Sequence, residues 1–240
     1  MSSKSSQSET IKEAVSAATR ALSGNSELEI SYGGMGSTLP NPPNSIKELT
    51  SFRGKADSLA CAERYRDKSI RINSGIDKIN SLIKVMEDAR VEILGSLNFP
   101  GVASNLTAKF EDKCKLNESF EDQEDQLEIA LETWLRRICL PNEMDTKSSL
   151  FLKYWGKLFD DQGTEFKEKV ISSLENQSEF YDLAEDFLKN LNITDEESET
   201  EDNDIEDDTE QEEESASDEG SEDDSQESES SSEQDNQEGN

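Results

Sequence analysis

Through the first 190 residues, apolar side chains recur at spacings of three and four, in blocks separated by glycine, proline and polar runs. That period predicts a mainly α-helical chain. In the first block Ile11, Ala14, Val15, Ala18 and Leu22 share a face, Thr10 and Glu13 form a capping-box pattern, and Gly24 suits the position just past the end. The helix is therefore expected to open at Thr10, leaving residues 1–9 as a disordered, Ser-rich N-terminus. Leu28, Ile30 and Tyr32 alternate with polar residues, a pattern that permits one short strand. Gly33-Gly34-Met35-Gly36 with Pro40, Pro42 and Pro43 then reads as a linker. It contains neither phosphate-binding glycine spacing.

Ser45 and Glu48 offer a second capping box, ahead of a helix carrying Ile46, Leu49, Phe52, Ala56, Leu59 and Ala60 on one side. Arg53 and Asp57 stand four apart on it, a surface pair worth about 0.3–0.5 kcal/mol. Arg66-Asp67-Lys68 connects to the next helix, which Ser74 is placed to cap. Its seam runs Ile76, Ile79, Ile83, Met86, Arg90, Ile93, so a charged residue occupies an apolar position. Charged side chains in such a seam more often snorkel than anchor, and Arg90 is expected to keep its head wet. The alternative is that it holds a neighbouring element through a carboxylate, with Glu87 one turn earlier as the nearest partner.

Gly95 falls where a C-cap belongs, and Phe99-Pro100-Gly101 makes a tight turn into a helix with Val102, Leu106 and Phe110 inside. Later blocks carry Leu127, Ala130, Leu131, Trp134, Leu135 and Ile138 up to Pro141, then Leu150, Phe151, Tyr154, Trp155, Leu158 and Phe159. The last two put Val170, Leu174, Leu183, Ala184 and Phe187 inward. No fixed repeat is visible, which argues against a solenoid. The expected architecture is a mainly α domain over residues 10–190, about seven helices around one or two cores, with the two tryptophans meeting in one of them.

Composition divides the chain again. Residues 195–240 hold 24 Asp and Glu, no Lys or Arg, and only Ile205 and Ala216 as apolar side chains. Such a segment cannot bury enough apolar surface to offset its ordering entropy, so residues 191–240 are expected to form a disordered acidic tail. The rest carries 32 acidic against 24 basic residues, a net charge of −8. A repelling tail and the lack of a basic stripe argue against nucleic acid and anionic membranes as partners. No apolar run approaches spanning length or a signal-peptide core, so a cytoplasmic protein is expected.

Candidate chemistry is sparse. The chain contains no histidine, which removes the commonest general base and the commonest zinc ligand. Cys61, Cys114 and Cys139 have no metal or redox spacing and read as buried free thiols. Glu111-Asp112 and Glu121-Asp122-Glu124-Asp125 read as solvated helix faces. Asp202, Asp204 and Glu206 lack the glycine turn of an EF-hand. No nucleophile has a base beside it. From the residues alone, the chain is an acidic helical interaction protein.

Several ordered blocks add a resemblance. Glu87-Asp88-Ala89-Arg90-Val91-Glu92, Gly95, Gly101-Val102-Ala103 and Asn105-Leu106 resemble the signature of the CobT subunit of aerobic cobaltochelatase. Lys12–Ala14 through Arg20–Gly24, Glu27–Ile30, Leu39-Pro40 with Pro42-Pro43, and Arg53–Ala60 match further family blocks in order. The likeness covers residues 11–115 well, and 120–190 only by helical pattern. It implies a subunit, with no active site of its own, of a ligase forming nitrogen–metal bonds. That complex inserts cobalt into hydrogenobyrinic acid a,c-diamide in aerobic cobalamin synthesis. It implies an AAA+ ATPase partner of CobS type and a large tetrapyrrole-binding partner of CobN type. No cofactor is expected on this chain, whereas the complex would use ATP, Mg and cobalt. Arg53, Asp57, Glu87, Arg90, Glu92, Gly95, Gly101 and Asn105 are the family-motif positions, expected to fix helix packing.

Such proteins continue past an acidic linker into a von Willebrand factor A domain. This chain stops inside the acidic region, so a truncated product, a fragment or one half of a split protein is expected. The competing function class is a free-standing acidic adaptor or chaperone whose tail binds basic proteins.

Overall fold

Where the apolar spacing is strongest, helices form. A computed structural model describes residues 2–117, 126–141 and 148–193. The described residues contain α1 (Ser2–Ser23), α2 (Ile46–Tyr65), α3 (Asp77–Asn98), α4 (Pro100–Asn117) and α5 (Leu127–Cys139). A 3-10 turn (Ser148–Phe151) then leads into α6 (Leu152–Gln162), followed by α7 (Thr164–Ser173) and α8 (Gln177–Asn190). The proposed tail and the acidic run at 121–125 lie outside the described residues, apart from residues 191–193.

Several punctuation marks act as the sequence predicts. The Gly24 N–H donates to the Arg20 carbonyl (3.1 Å), closing α1. Ser45 caps α2, its Oγ accepting from the Lys47 N–H (3.3 Å). Pro100 opens α4, and α5 stops two residues before Pro141.

Elsewhere the boundaries move. α1 begins at Ser2, not Thr10, because neither glycine nor proline interrupts residues 2–9 and a helix once nucleated propagates cheaply. On α1 the buried positions are Val15, Thr19 and Ser23, whereas Ala14 and Ala18 are exposed. The expected strand is a single bridge between Tyr32 and Leu39. Beside it, Ser31 and Thr38 satisfy each other's N–H groups through their hydroxyls (2.9 and 3.0 Å), replacing a ladder. Ser74 lies two residues before α3's N-cap, Ile76, since Gly75 turns the backbone between them (φ +80°). Ile46 is exposed rather than inward.

Gly95 is no cap either. α3 continues to Asn98, and Phe99 alone separates it from α4. The Phe99 N–H donates to the Gly95 carbonyl (2.9 Å), and its carbonyl accepts from Val102 (2.8 Å) and Ala103 (3.1 Å). Gly95 is small for a different reason: a Cβ there would lie 2.3 Å from the Cys61 Sγ, so its absence lets α2 and α3 approach.

α3 is the central strut, packed against α2, α4, α5 and α8. From Met86 to Ser96 every residue except Asp88 is buried. The main core joins α3, α4 (through Phe110 and Cys114), α5, the 3-10 turn and α6 to α8, with Trp134 at its centre. Trp134 stacks on Phe187 (4.8 Å between centroids, 15°), and its Nε1 donates to Asp160 Oδ1 (3.0 Å). Trp155 reaches the same core through Phe159, which lies 5.9 Å from it and 5.7 Å from Trp134. A second cluster of Val15, Leu39, Phe52 and Ala56 joins α1 and its loop to α2. A third, Cys61, Val91, Val102 and Leu106, fills the junction of α2, α3 and α4.

Candidate functional site

Charged side chains inside this bundle gather into three clusters along α3 and its neighbours. In the first, Arg90 is 1 % exposed and does not snorkel. Its Nε donates to Glu87 Oε2 (2.6 Å), and Nη2 donates to Glu87 Oε1 (2.9 Å) and the Tyr65 carbonyl (3.0 Å). Nη1 donates to the Leu174 carbonyl (2.5 Å), and Phe180 lies against the guanidinium (5.8 Å). One side chain thus satisfies the end of α2 and the α7–α8 junction. A bare main-chain carbonyl buried there would cost about 1–3 kcal/mol. Gln177 completes the joint: its Oε1 accepts from the Asp67 N–H (2.7 Å), and its Nε2 donates to the Asp67 carbonyl (3.1 Å). Arg66 reaches Asp88 (2.5 Å) from the same connector.

The second cluster centres on Glu92, 2 % exposed on α3. It accepts from Arg136 Nη2 on α5 (2.5 Å), from the Ser58 hydroxyl on α2 and from Lys109 Nζ on α4. Arg136 Nε in turn donates to Glu132 Oε1 (3.0 Å), Lys113 Nζ donates to Glu132 Oε2 (2.7 Å), and the Arg136 guanidinium covers the Phe110 ring (4.6 Å). Four helices meet on one carboxylate.

Asp57 anchors the third. It is wholly buried and accepts from Arg53 Nη2 (2.8 Å) and Asn105 Nδ2 (2.7 Å). The pair expected to lie at the surface is therefore half interior, with Arg53 at 28 % and Asp57 at 0 % exposure, and Asn105 on α4 ties it to that helix. Gly54 lets that contact form: a Cβ there would sit 2.1 Å from the Asn105 carbonyl oxygen.

These clusters hold protein cations, and among the described residues no group of three His, Cys, Asp or Glu side chains is placed to hold a metal ion. The thiols are equally quiet. Burial pushes Cys61, Cys114 and Cys139 up to about 12, with Glu92 and Asp57 adding to the effect at Cys61. A thiol protonated at neutral pH is a poor nucleophile. Among the described residues, shallow clefts include one of about 370 Å³ between α2 and α4 and one of about 130 Å³ between α1 and the proline loop. None of the buried charged groups lines either. No described helix is long and apolar enough to cross a membrane.

The family model described as "Cobalamin biosynthesis protein CobT" matches residues 5–240. The chain belongs to the CobT family. No solved structure matches it. Of the eight positions named from the family blocks, Arg53, Asp57 and Asn105 come together, as do Glu87 and Arg90, while Glu92 belongs to the cluster between them. Gly95 sits at a helix contact and Gly101 faces open space at the start of α4.

The sequence of this CobT chain did not single out Ser58, Lys109, Lys113, Glu132, Arg136 or Gln177, whereas Arg66, expected in the connector to α3, does bridge to Glu87 and Asp88 there. Glu132 and Arg136 carried a usable signal, since they stand four apart on either side of Trp134 in a strongly amphipathic block. The others pair across 17 to 110 residues of chain, where spacing carries no information.

Electrostatics give the clusters opposite acid responses. Burial opposes ionisation of Glu132, but Arg136, Lys113 and Lys109 overcome it and hold its carboxyl down at about 2. Burial raises Asp57 above the usual carboxylate value, and Asn105 and Arg53 only partly offset that. Glu132 therefore contributes stability that is present above about pH 4.5 and lost as pH falls towards 2. Asp57 works the other way, its protonation favouring the folded state as pH falls through its raised value. Urea midpoints measured from pH 5 to pH 2 are expected to fall, and Glu132→Gln is expected to shrink that slope.

Proposed function

We propose that this CobT-family chain is a non-catalytic assembly subunit of the ATP-dependent cobaltochelatase. Its helical domain docks on the AAA+ ATPase subunit and couples ATP hydrolysis to the large subunit that holds the tetrapyrrole. The cobalt is cargo of the complex, inserted into hydrogenobyrinic acid a,c-diamide, and ATP and Mg act on the partner.

One observation carries this reading. The family-motif side chains that carry charge, Arg53, Asp57, Glu87, Arg90 and Glu92, bond to one another, to neighbouring helices or to main-chain carbonyls. Groups so engaged fix the shape of a body, and none of these five lines either of the two clefts. A rigid helical body suits a part that transmits position between partners.

Co-purification tests it. The full chain is expected to bind the purified AAA+ subunit at low and at moderate salt, and failure at both removes the proposal. The composition of residues 195–240 favours one competitor, an acidic adaptor acting through its tail. Deleting 195–240 abolishes function in that case, whereas docking through the helices survives it.

A further inference from the structure

Seven apolar side chains run through the 3-10 turn and α6, more than one buried face can take. Phe151, Leu152, Trp155 and Phe159 enter the main core. Leu150, Tyr154 and Leu158 do not: they are 64 %, 58 % and 36 % exposed. Spaced four apart, they form one stripe about 12 Å long on the outer side of the helix.

The stripe has a cationic rim. Lys153 and Lys157 flank it, both exposed, and neither makes an ion pair among the described residues. Asp161, four residues beyond Lys157, does not pair with it. Eight other lysines do find carboxylates: Lys12, Lys68, Lys109, Lys113, Lys115, Lys167, Lys169 and Lys189. In a chain with 56 acidic and 24 basic residues, two lysines that make no ion pair among the described residues, beside three exposed apolar groups, form a locally basic apolar face.

We infer that this face of α6 is a docking surface for a partner protein that presents an apolar segment bordered by carboxylates. Charge complementarity selects that occupant. A second copy seated on the same face by two-fold symmetry would bring Lys153 and Lys157 against their own equivalents. The surface is already ordered: Tyr154 meets Trp155 edge-on (5.1 Å, 83°), and Trp155 stacks on the buried Phe159 (5.9 Å, 15°). Binding there loses little side-chain entropy.

The inference rests on the assembly reading and makes the AAA+ subunit the carrier of that segment. The test measures binding of the full chain to the purified AAA+ subunit for the unaltered chain, Leu150→Ser/Leu158→Ser and Lys153→Glu/Lys157→Glu. The lysine pair serves as a second probe that removes no apolar contact. Each double variant is expected to melt like the parent and to weaken binding at least about tenfold. The lysine variant is also expected to flatten the salt dependence. Unaltered affinity in both variants overturns the assignment of this face while leaving the assembly reading intact. A homo-oligomer dissociated by Leu150→Ser/Leu158→Ser overturns it in favour of a second copy. No binding by the unaltered chain overturns the assembly reading and this assignment with it.

Discussion

Arg90→Met is expected to lower the unfolding free energy by about 3–5 kcal/mol, read from urea denaturation followed by tryptophan fluorescence. Methionine fills much of the same volume, so the loss is electrostatic rather than a cavity effect. It leaves Glu87 buried with only Arg66 at 3.4 Å, and strips a donor from the carbonyls of Leu174 and Tyr65. Arg90→Met/Glu87→Gln is expected to recover part of the loss, because removing both charges relieves the unpaired carboxylate but not the two carbonyls. A change below about 1 kcal/mol in the single variant would place Arg90 among ordinary surface charges.

Gly54→Ala is the second large effect, and a single carbon produces it. The new Cβ would meet the Asn105 carbonyl oxygen at 2.1 Å and the Lys109 Cβ at 2.7 Å. A main-chain atom cannot swing away as a side chain can, so α2 and α4 must separate. Separation draws Asn105 off Asp57 and Lys109 off Ser58 and Glu92. A loss of about 3 kcal/mol or more is expected, at the upper end for overpacking because polar contacts go with it. Lys55→Ala, exposed on the next residue, is the control and should stay within about 0.5 kcal/mol. Equal melting temperatures for the two variants would show that the helices have slack where the structure gives them none.

How much of this could be read beforehand depends on the range over which each interaction acts. Helix existence was legible throughout because the three-and-four spacing is local, and so were Gly24, Ser45, Pro100 and Pro141 as punctuation. Arg90 was visible as an anomaly in an apolar seam, and Glu87 as its neighbour. What spacing could not supply was the Leu174 carbonyl, 84 residues away, which turns a side chain expected to reach water into an anchor. Gly95 shows the opposite failure. A glycine near a helix end invites reading as a cap, and only the packed position of Cys61 reveals that α3 runs on past it. On α6 the pattern named six apolar residues and could not say that three would face out. Burial is decided by what packs alongside, and that information lies in other helices.

The separation of the cores bears on what a fluorescence signal can see. Trp134 and Trp155 both report on the cluster built by α3 to α8, whereas α1 rests on α2 through Val15, Leu39, Phe52 and Ala56, with Leu22 at its end against the junction cluster and bonded by Arg64. A helix attached outside the main core opens at lower cost than the body it caps. α1 can therefore detach and return while both indoles keep their surroundings, a motion silent to their emission and visible to amide exchange along residues 15–23.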